Sequence, residues 1–381
     1  MKILHLSDLH IGKRVNEFSL IEDQKFILNA ILDIVSDISP DAVVIAGDVY
    51  DKSLPSAEAV EVLDDFLFRL SLFNKPVMIV SGNHDSPERL AFGNRLISLS
   101  GIRISSAYCG ETEKVTLSDR FGEVDFYMLP YIKPAAVKRF FDGEKIESFD
   151  DALNACVKRM NVDTAKRNVL IAHQFVTGGE RSESEETFVG GLDNVDASVF
   201  SVFDYVALGH LHRPQNVADN MRYCGTPIKY SFSEVHDRKS VSVVELNEKG
   251  NVSISTVELK PLRDMKEIKG TYEELTAKSF YEGTTLTDDY VHITLTDEND
   301  VLDAYARLRS IYKNLMKIDY DNERTRAALC GIGAAAVEEK SPYTLVNELF
   351  LMQNNTEMTE KQSETVKKLI EEIWGEEDET D

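Results

Sequence analysis

Asp, Asn and His residues recur in short blocks through the first two-thirds of the chain, and these side chains are common ligands of divalent cations. Together the blocks contain enough carboxylate, amide and imidazole groups to bind two ions. A pair of divalent ions is typical of a centre that cleaves phosphoesters. The blocks are Asp8-Leu9-His10, Gly47-Asp48, Gly82-Asn83-His84-Asp85, His173 and Gly209-His210-Leu211-His212.

Each block ends or follows an apolar run that is typical of a buried strand: ILHLSD, AVVIAGD, VMIVSGN, VLIAH and YVALGH. Because parallel strands end together at one edge of a sheet, we expect these distant blocks to converge. Each block alone also has a simpler interpretation, as a charged loop, a turn residue or a core histidine. Their joint occurrence at strand ends favours one shared site.

The first half of the chain alternates strand and helix patterns, which predicts an α/β fold. Helices are expected over about 20–35, 56–72 and 86–99. Further along, strand patterns dominate, and a hairpin is predicted at 240–258.

Beyond Pro261, residues 262–335 combine the strand YVHITLT with a helix expected near 300–316, which predicts a small α+β domain. Beyond Pro342, two apolar stripes at helical spacing predict a pair of helices. The stripes include Leu345, Leu349 and Phe350 in the first helix and Leu369, Ile373 and Trp374 in the second.

The formal net charge of −24 argues against a free-standing nucleic-acid binder, which is usually basic. Bound cations would nevertheless add positive charge where a phosphate binds, so affinity for a polyanion is expected to be local or to come from a partner. The four cysteines are widely spaced and form no C-x-x-C motif, which predicts reduced thiols in a cytoplasmic protein. No apolar run is long enough to predict a membrane span.

The order D-x-H, G-D-x-x-D, G-N-H-D, H and G-H-x-H resembles the calcineurin-like metallophosphoesterases. Within that superfamily, the chain is similar to the SbcD nuclease subunits, a bacterial family of double-strand-break repair exonucleases. The stretches that carry the resemblance are LHLSDLHIGK, VVIAGDVYDKSLPSAEAV, VSGNHDSPERL, ALGHLH, GTPIKYSFSE and KPLRDM. The resemblance implies a β-sandwich flanked by helices, with a two-metal site at the strand ends.

The resemblance also implies a division into domains. It predicts a metallophosphoesterase nuclease domain at 1–260, a capping domain that presents DNA at 261–340, and a helical partner-binding arm at 341–375. The acidic residues 376–381 are expected to be disordered.

Transferred residue by residue, the resemblance assigns two sets of metal ligands. One ion would be bound by Asp8, His10, Asp48 and His212. The second would be bound by Asp48, Asn83, His173 and His210. We expect Mn²⁺, which suits a mixed oxygen and nitrogen set, with Mg²⁺ as the alternative. A water bridging two such ions loses a proton near neutral pH, and the hydroxide would attack phosphorus.

His84 matches the family's catalytic histidine, which is not a ligand. It would stabilise charge on the phosphate or protonate the leaving oxygen. The resemblance assigns Asp51 to orienting His84, although an Asp after Tyr50 is also typical of a solvated loop. Asp85 has two interpretations as well, as a site residue or as the N-cap of the next helix.

The partners follow from the resemblance. It implies double-stranded DNA ends and hairpins as substrates, a coiled-coil ATPase of the SbcC kind as the partner of the arm, and a nucleoid-associated location. It implies a homodimer within a heterotetramer, formed through the helices at 56–72 and 86–99. Four basic residues after ligand blocks are either DNA contacts or solvated loop charges: Lys13, Arg14, Lys52 and Arg89.

Two other functions are compatible with parts of this pattern. A small-molecule or phosphoprotein phosphatase of the same superfamily would use the same ligands. Its phosphoprotein members usually carry Arg-Gly after G-D-x-x-D, whereas Lys52-Ser53 follow here. A metal-free scaffold with a degenerate site is disfavoured because the ligand set is complete.

Overall fold

The fold was obtained as a computed structural model, which describes residues 1–105, 107–180, 182, 185, 194–323, 325, 342–354 and 358–374. The chain divides into two compact units. The first contains residues 1–267 and 285–292, and the second contains residues 268–284 and 293–381.

Two six-stranded sheets form the centre of the first unit. In spatial order, the strands of one sheet are Val252–Glu258, Ser240–Leu246, Lys2–Leu6, Ala42–Ala46, Val77–Val80 and Ile102–Ile104. Those of the other are Gln215–Ala218, Met221–Tyr223, Tyr205–Gly209, Arg167–His173, Gly122–Leu129 and Glu113–Asp119. Short strand pairs are formed by Arg14–Val15 with Phe18–Ser19 and by Phe175–Val176 with Asn194–Val195.

The two sheets pack face to face through apolar side chains, as the family resemblance implies. Val44 and Met78 of one sheet share a buried cluster with Phe126, Ile171 and Ala207 of the other. A second buried cluster lies on the other face of the second sheet and includes Leu153 of the helix Phe149–Met160. Burial of both faces explains why the central strands are continuous apolar runs rather than alternating ones.

Parallel pairing brings the ligand blocks to one edge. Lys2–Leu6, Ala42–Ala46 and Val77–Val80 run parallel, so their carboxyl ends lie side by side. Arg167–His173 and Tyr205–Gly209 are also parallel, with His173 paired in register with Gly209. The antiparallel hairpin predicted at 240–258 is present as Ser240–Leu246 and Val252–Glu258.

The helices of the first unit follow the predicted order with one correction. Ile21–Ile38 and Ala57–Ser71 agree with the pattern, and Ser56 caps the second through a side-chain hydrogen bond to the Ala59 N–H. The single helix expected over 86–99 is wrong, because Gly93, at a φ of 75°, interrupts it. The segment contains Pro87–Leu90, Asn94–Ile97 and a 3₁₀ turn, Ser98–Ser100. The other helical elements of this unit are Pro134–Lys138, Phe149–Met160, Ala197–Phe200 and Phe232–Glu234.

The second unit is smaller and mixes helix with strand. It contains most of a three-stranded sheet, of which residues 265–267 and 290–292 are counted in the first unit. The order of the strands is Met265–Gly270, Tyr290–Leu295, Asn314–Tyr320. The helix expected near 300–316 is limited to Ala304–Arg309, because sheet pairing draws the following residues into a strand. The remaining helices are Tyr272–Thr276, Lys278–Tyr281, Pro342–Asn354 and Glu360–Trp374.

The two C-terminal helices match the two predicted apolar stripes and contact each other. The Tyr343 hydroxyl lies 2.5 Å from that of Ser363. The expected disordered tail at 376–381 lies outside the described residues. Within the part of the chain that the structure describes, no helix has both the length and the apolar content needed to cross a bilayer.

Candidate metal centre

Seven predicted ligands from five separate blocks meet at the carboxyl edge of the two sheets. Three overlapping groups of site residues could each hold an ion, with donor atoms within 4.8 Å of one another. Asp8, His10 and His212 form one group, and Asp8, Asp48 and His173 form another. The third group joins His10 and Asp48 to His84.

The backbone at this edge is unusual in its conformation. Asp8, His10, Asp48 and His210 all have positive φ angles, between 43° and 107°. Side chains other than glycine rarely adopt this region, and such residues concentrate at functional sites. The strand ends therefore hold strained turns that direct their side chains to one point.

Glycine precedes three of the ligand blocks because the chains approach too closely for a side chain. A Cβ atom at Gly82 would lie 2.1 Å from Oδ1 of Asp48. One at Gly209 would lie 1.8 Å from the carbonyl oxygen of Ala46, which belongs to the other sheet. At Gly47 it would lie 2.3 Å from Nδ1 of His173.

The first half of the centre brings two imidazole rings together. Nε2 of His10 lies 3.1 Å from Nε2 of His212. Oδ2 of Asp8 is buried and has no hydrogen-bond partner among the described residues, whereas its Oδ1 accepts from the His210 N–H. Oδ2 of Asp48 lies 3.6 Å from Nε2 of His10.

The second half gathers around Asn83. Its Oδ1 lies 3.0 Å from Nε2 of His173 and 3.0 Å from Nδ1 of His210. Oδ2 of Asp48 lies 3.2 Å from Nε2 of His173, so this one oxygen borders both halves. All seven predicted ligands are thus brought together at this edge, while the assignment of each to one of two ions stays a prediction.

The donor set fits a pair of divalent cations. Separations of about 3 Å are those of adjacent ligands around one ion at about 2.1 Å. Nδ1 of His173 lies 2.9 Å from the carbonyl oxygen of Ala46, which can only accept, so Nδ1 carries a proton and the other ring nitrogen faces two oxygens. Such a concentration of lone pairs is favourable only around a positive charge.

The electrostatics of this position favour positive charge. Burial lowers the pKa of His173, but the Asp48 and Asp8 carboxylates outweigh it and raise that pKa to about 9. Burial likewise raises the pKa of Asp48, but His173 and His10 hold it well below its usual value. Burial is the main cause that keeps the pKa of His10 well below normal, so this ring is neutral.

His84 lies beside the ligands with a partly open ring, its side chain 15% exposed. The main-chain N–H of His84 donates to Oδ1 of Asp48 at 2.9 Å. The ring nitrogen Nε2 lies 4.0 Å from Oδ2 of Asp48. Asp51 contacts His84, as predicted, but through its main chain and not through its carboxylate. Nδ1 of His84 donates to the main-chain oxygen of Asp51 at 3.0 Å, because the turn presents that carbonyl and directs the carboxylate elsewhere.

The carboxylate of Asp51 lies between two other side chains. Its Oδ1 is 2.8 Å from Nζ of Lys13 and 3.6 Å from Nδ1 of His10. Asp51 is buried, so the alternative of a solvated loop residue is wrong. Its carboxylate therefore faces a ligand of the first half rather than His84.

Asp85 fixes the loops that carry the ligands. Its carboxylate accepts from the N–H groups of Val49, Tyr50 and Gly82 at distances of 2.9 to 3.1 Å. Ser86, not Asp85, is the N-cap of the following helix, so the N-cap interpretation is wrong. Burial raises the pKa of Asp85 to about 6.

The four basic residues differ in their surroundings. Lys13 is paired with Asp51, and Arg14 donates to the main-chain oxygen of Glu17. Arg89 donates to the main-chain oxygen of Ser53 at 2.8 Å. Lys52 is exposed at the surface.

Sequence reasoning missed the side chains that surround His10 and His212. Nε2 of Gln24 donates to the main-chain oxygen of His10 at 2.7 Å. Lys239 donates to the main-chain oxygen of His212 at 2.8 Å and to Glu234 at 2.6 Å. Burial raises the pKa of Glu234, but Lys239 and His212 reverse this and lower it well below normal. The stretch GTPIKYSFSE, which ends at Glu234, was the one signal for these contacts.

Two family models and one full-length relative match this chain. The sequence model of the calcineurin-like phosphoesterase family matches residues 1–214. A second model, described as the type 5 capsule protein repressor C-terminal domain, matches residues 261–354. The SbcD subunit of the SbcCD nuclease from Staphylococcus epidermidis is 31% identical over 378 residues, which cover 97% of this chain and 98% of that protein.

Solved structures were also found, at low sequence identity and low TM-scores. The TT1561 protein of Thermus thermophilus is 13% identical, with a TM-score of 0.39 over 67% of this chain and 98% of that one. A dimetal phosphatase from Danio rerio is 12% identical, with a TM-score of 0.41 over 69% of this chain and 98% of that one. The family matches and the full-length relative, which do not depend on these structures, establish that the chain belongs to the calcineurin-like phosphoesterase family and, within it, to the SbcD group.

Proposed function

We propose that this chain is the metal-dependent DNA nuclease subunit of an SbcCD-type complex. It hydrolyses phosphodiester bonds in DNA repair and recombination, including at hairpins. The observation that carries the proposal is the meeting of seven oxygen- and nitrogen-bearing side chains at one sheet edge, where Oδ2 of Asp48 lies near both His10 and His173. The full-length relative named as a nuclease subunit favours this function over a phosphatase.

Asp8, His10, Asp48 and His212 would hold one ion, and Asp48, Asn83, His173 and His210 the other. Four imidazoles among seven ligands favour Mn²⁺ over Mg²⁺, which usually keeps more water and oxygen ligands. The two ions would supply an activated water and neutralise the phosphate oxygens.

His84 acts on the substrate directly. Because Nδ1 is held by the Asp51 carbonyl, Nε2 is the ring nitrogen that can face the reacting phosphate. From there it can donate a proton to the leaving oxygen or a hydrogen bond to the developing charge. Asp85 supports this geometry by holding the Gly82 N–H and the loop around Tyr50.

DNA contacts near the centre are proposed for basic residues beside the ligand loops. Lys52 is the strongest candidate because it is exposed and follows Asp51 directly. Lys13, Arg14 and Arg89 hold neighbouring loop groups and would contact phosphate only in addition to those contacts. Work on chromosomal DNA would associate the protein with the nucleoid.

A homodimer within a heterotetramer is proposed from an exposed apolar surface. Phe92 and Leu99 are 84% and 86% exposed, and Phe68, Leu72 and Leu96 are also exposed. These residues lie on Ala57–Ser71 and the broken helical segment at 87–100, or directly beside them. Large exposed apolar side chains concentrated on neighbouring segments mark protein interfaces.

The two C-terminal helices are proposed to bind the coiled coil of an SbcC-like ATPase. Three leucines of these helices are exposed: Leu349, Leu351 and Leu369. Exposed apolar residues are expected on a helix surface that binds a partner helix. Leu345 and Phe350 lie on the same helix and are partly buried, and Ile373 and Trp374 are assigned from the sequence stripe alone.

The experiment that tests the function is a cleavage assay with Mn²⁺ on linear duplex, hairpin and single-stranded DNA. Bis-p-nitrophenyl phosphate and p-nitrophenyl phosphate serve as diester and monoester controls. We expect cleavage of DNA and of the diester. Turnover of the monoester alone would contradict the nuclease function and favour the phosphatase.

A further inference from the structure

The glutamate at the end of GTPIKYSFSE is completely buried at the metal edge. Glu234 has 0% exposure and belongs to the 3₁₀ turn Phe232–Glu234. Removing a carboxylate from water costs several kcal/mol, so its burial requires strong compensating contacts. The family ligand set does not include it.

The two oxygens of Glu234 have different surroundings. Oε2 accepts a hydrogen bond from Nζ of Lys239, which lies 2.6 Å away. The same oxygen is 3.4 Å from the main-chain nitrogen of Tyr230 and 3.4 Å from the hydroxyl oxygen of Thr226. Oε1 lies 3.7 Å from Nδ1 of His212. An ion pair that served only the fold would be satisfied at Oε2, whereas this carboxylate also faces the imidazole.

The same partners hold the main chain of His212. Its carbonyl oxygen accepts from Nζ of Lys239 at 2.8 Å and from the Thr226 N–H at 3.1 Å. The His212 N–H also donates to Oε1 of Glu185. The main chain of His212 is therefore held at both its N–H and its carbonyl, while its Nδ1 lies on the Glu234 side and its Nε2 faces His10.

We propose that Glu234 is a positioning residue of the metal centre, which acts with Lys239 to orient the His212 ring towards the first ion. The inference rests on the proposed two-metal function. Carboxylates that face the remote nitrogen of a metal-binding imidazole fix its tautomer and raise its basicity. A proton on Nδ1 would leave the lone pair of Nε2 available to bind the first ion.

His10 has a parallel arrangement, which supports the assignment. Oδ1 of Asp51 lies 3.6 Å from Nδ1 of His10 and 2.8 Å from Nζ of Lys13. Each imidazole of the first half thus has a lysine-paired carboxylate on its Nδ1 side, while the two Nε2 atoms face each other at 3.1 Å. In the second half, Nδ1 of His173 donates to the main-chain oxygen of Ala46 instead of to a carboxylate. Loss of Glu234 should therefore lower the affinity for the first ion selectively.

The test is a calorimetric Mn²⁺ titration of the full chain carrying Glu234→Gln, with electron paramagnetic resonance to distinguish paired from isolated Mn²⁺. We expect affinity for one ion to fall about 10- to 100-fold while the other binds as in the wild type. The spin-coupled signal of the pair should then give way to that of isolated Mn²⁺. The double variant Glu234→Gln/Lys239→Met leaves no unpaired buried charge and should give the same result if the single variant folds poorly.

Asp125→Asn is the matched control. Asp125 is also buried and paired with a lysine, Lys114 at 3.3 Å, but it lies in a hairpin away from the ligand blocks. It should lower the thermal midpoint and leave both ions bound. Unchanged affinity for both ions in the Glu234 variants, or an equal loss of both, would overturn the positioning role. A wild-type protein that binds fewer than two Mn²⁺ would instead contradict the proposed centre itself.

Discussion

The strand ends that carry the ligands and the two C-terminal helices are built on opposite principles. At the strand ends, Asp8, His10 and His173 are fully buried and held by their neighbours. In the helices, Leu349 and Leu369 are 53% and 49% exposed. One region is complete within this chain, whereas the other presents apolar surface to water.

This difference suggests that the strand ends serve catalysis, whereas the two helices serve the binding of a partner. Sub-ångström placement of donors needs rigid strands and glycine turns, so the centre tolerates little change. Exposed apolar positions on a helix contribute little to the fold of this chain and become useful when a partner covers them. Changes in the first region should therefore remove catalysis, and changes in the second should remove only the partner.

The broadest effect is expected from Gly82→Ala, because it should lower both ion binding and stability. The new Cβ would overlap Asp48, so we expect Mn²⁺ affinity to fall at least about 10-fold and stability to drop by about 1–3 kcal/mol. Calorimetric Mn²⁺ titration and thermal unfolding measure both. Gly250→Ala is the control: its φ of 79° makes alanine strained, but nothing lies within 4 Å, so only stability should fall. Normal Mn²⁺ binding by Gly82→Ala would show that the sheet edge around Asp48 can move to accommodate the new Cβ.

His84→Ala should have a narrower effect, on the cleavage rate alone. It should distinguish the residues of this edge that bind metal from the residue that acts on the substrate. We expect the cleavage rate to fall about 10²- to 10⁴-fold, because a proton donor is lost, with two Mn²⁺ still bound. Initial rates on the diester and calorimetry check this. His236→Ala, at an exposed histidine, should change neither quantity. Loss of an ion in His84→Ala would make this residue a ligand instead.

The smallest effect on chemistry is expected from Leu349→Asp and Leu369→Asp. The diester rate should remain at the wild-type level, whereas affinity for an SbcC-like partner should fall about 30-fold, as for a loss of about 2 kcal/mol. Co-purification and binding titrations measure this. Leu302→Asp changes another exposed leucine of the same compact unit and should leave binding intact. If all three variants bind equally well, the helices do not form the partner surface.

Some elements of the fold could be predicted from the sequence, and others could not. The parallel strands and the convergence of their ends were predictable because apolar runs that each end in a polar block have one simple arrangement. The break at Gly93 was not, because a single glycine within a helical pattern does not reveal its φ angle. The strand at Asn314–Tyr320 was missed because the apolar spacing of its residues also suits a helix.

Within the centre, the residue types were predictable and the supporting contacts were not. Nothing in the sequence distinguishes the carbonyl of Asp51 from its carboxylate as the partner of His84. The role of Asp85 was equally hidden, because its contacts are with main-chain N–H groups whose positions depend on the folded turns. Glu234 could be suspected only from its place in GTPIKYSFSE.

The left-handed backbone at Asp8, His10, Asp48 and His210 has a consequence for engineering and evolution. Each such residue costs roughly 1–2 kcal/mol relative to glycine, which adopts this conformation freely. In the ion-free protein, glycine at these positions would relieve the backbone but would also remove buried contacts, such as that of Asp8 Oδ1 with the His210 N–H. Engineering of these positions would therefore exchange backbone strain for the loss of buried side-chain contacts.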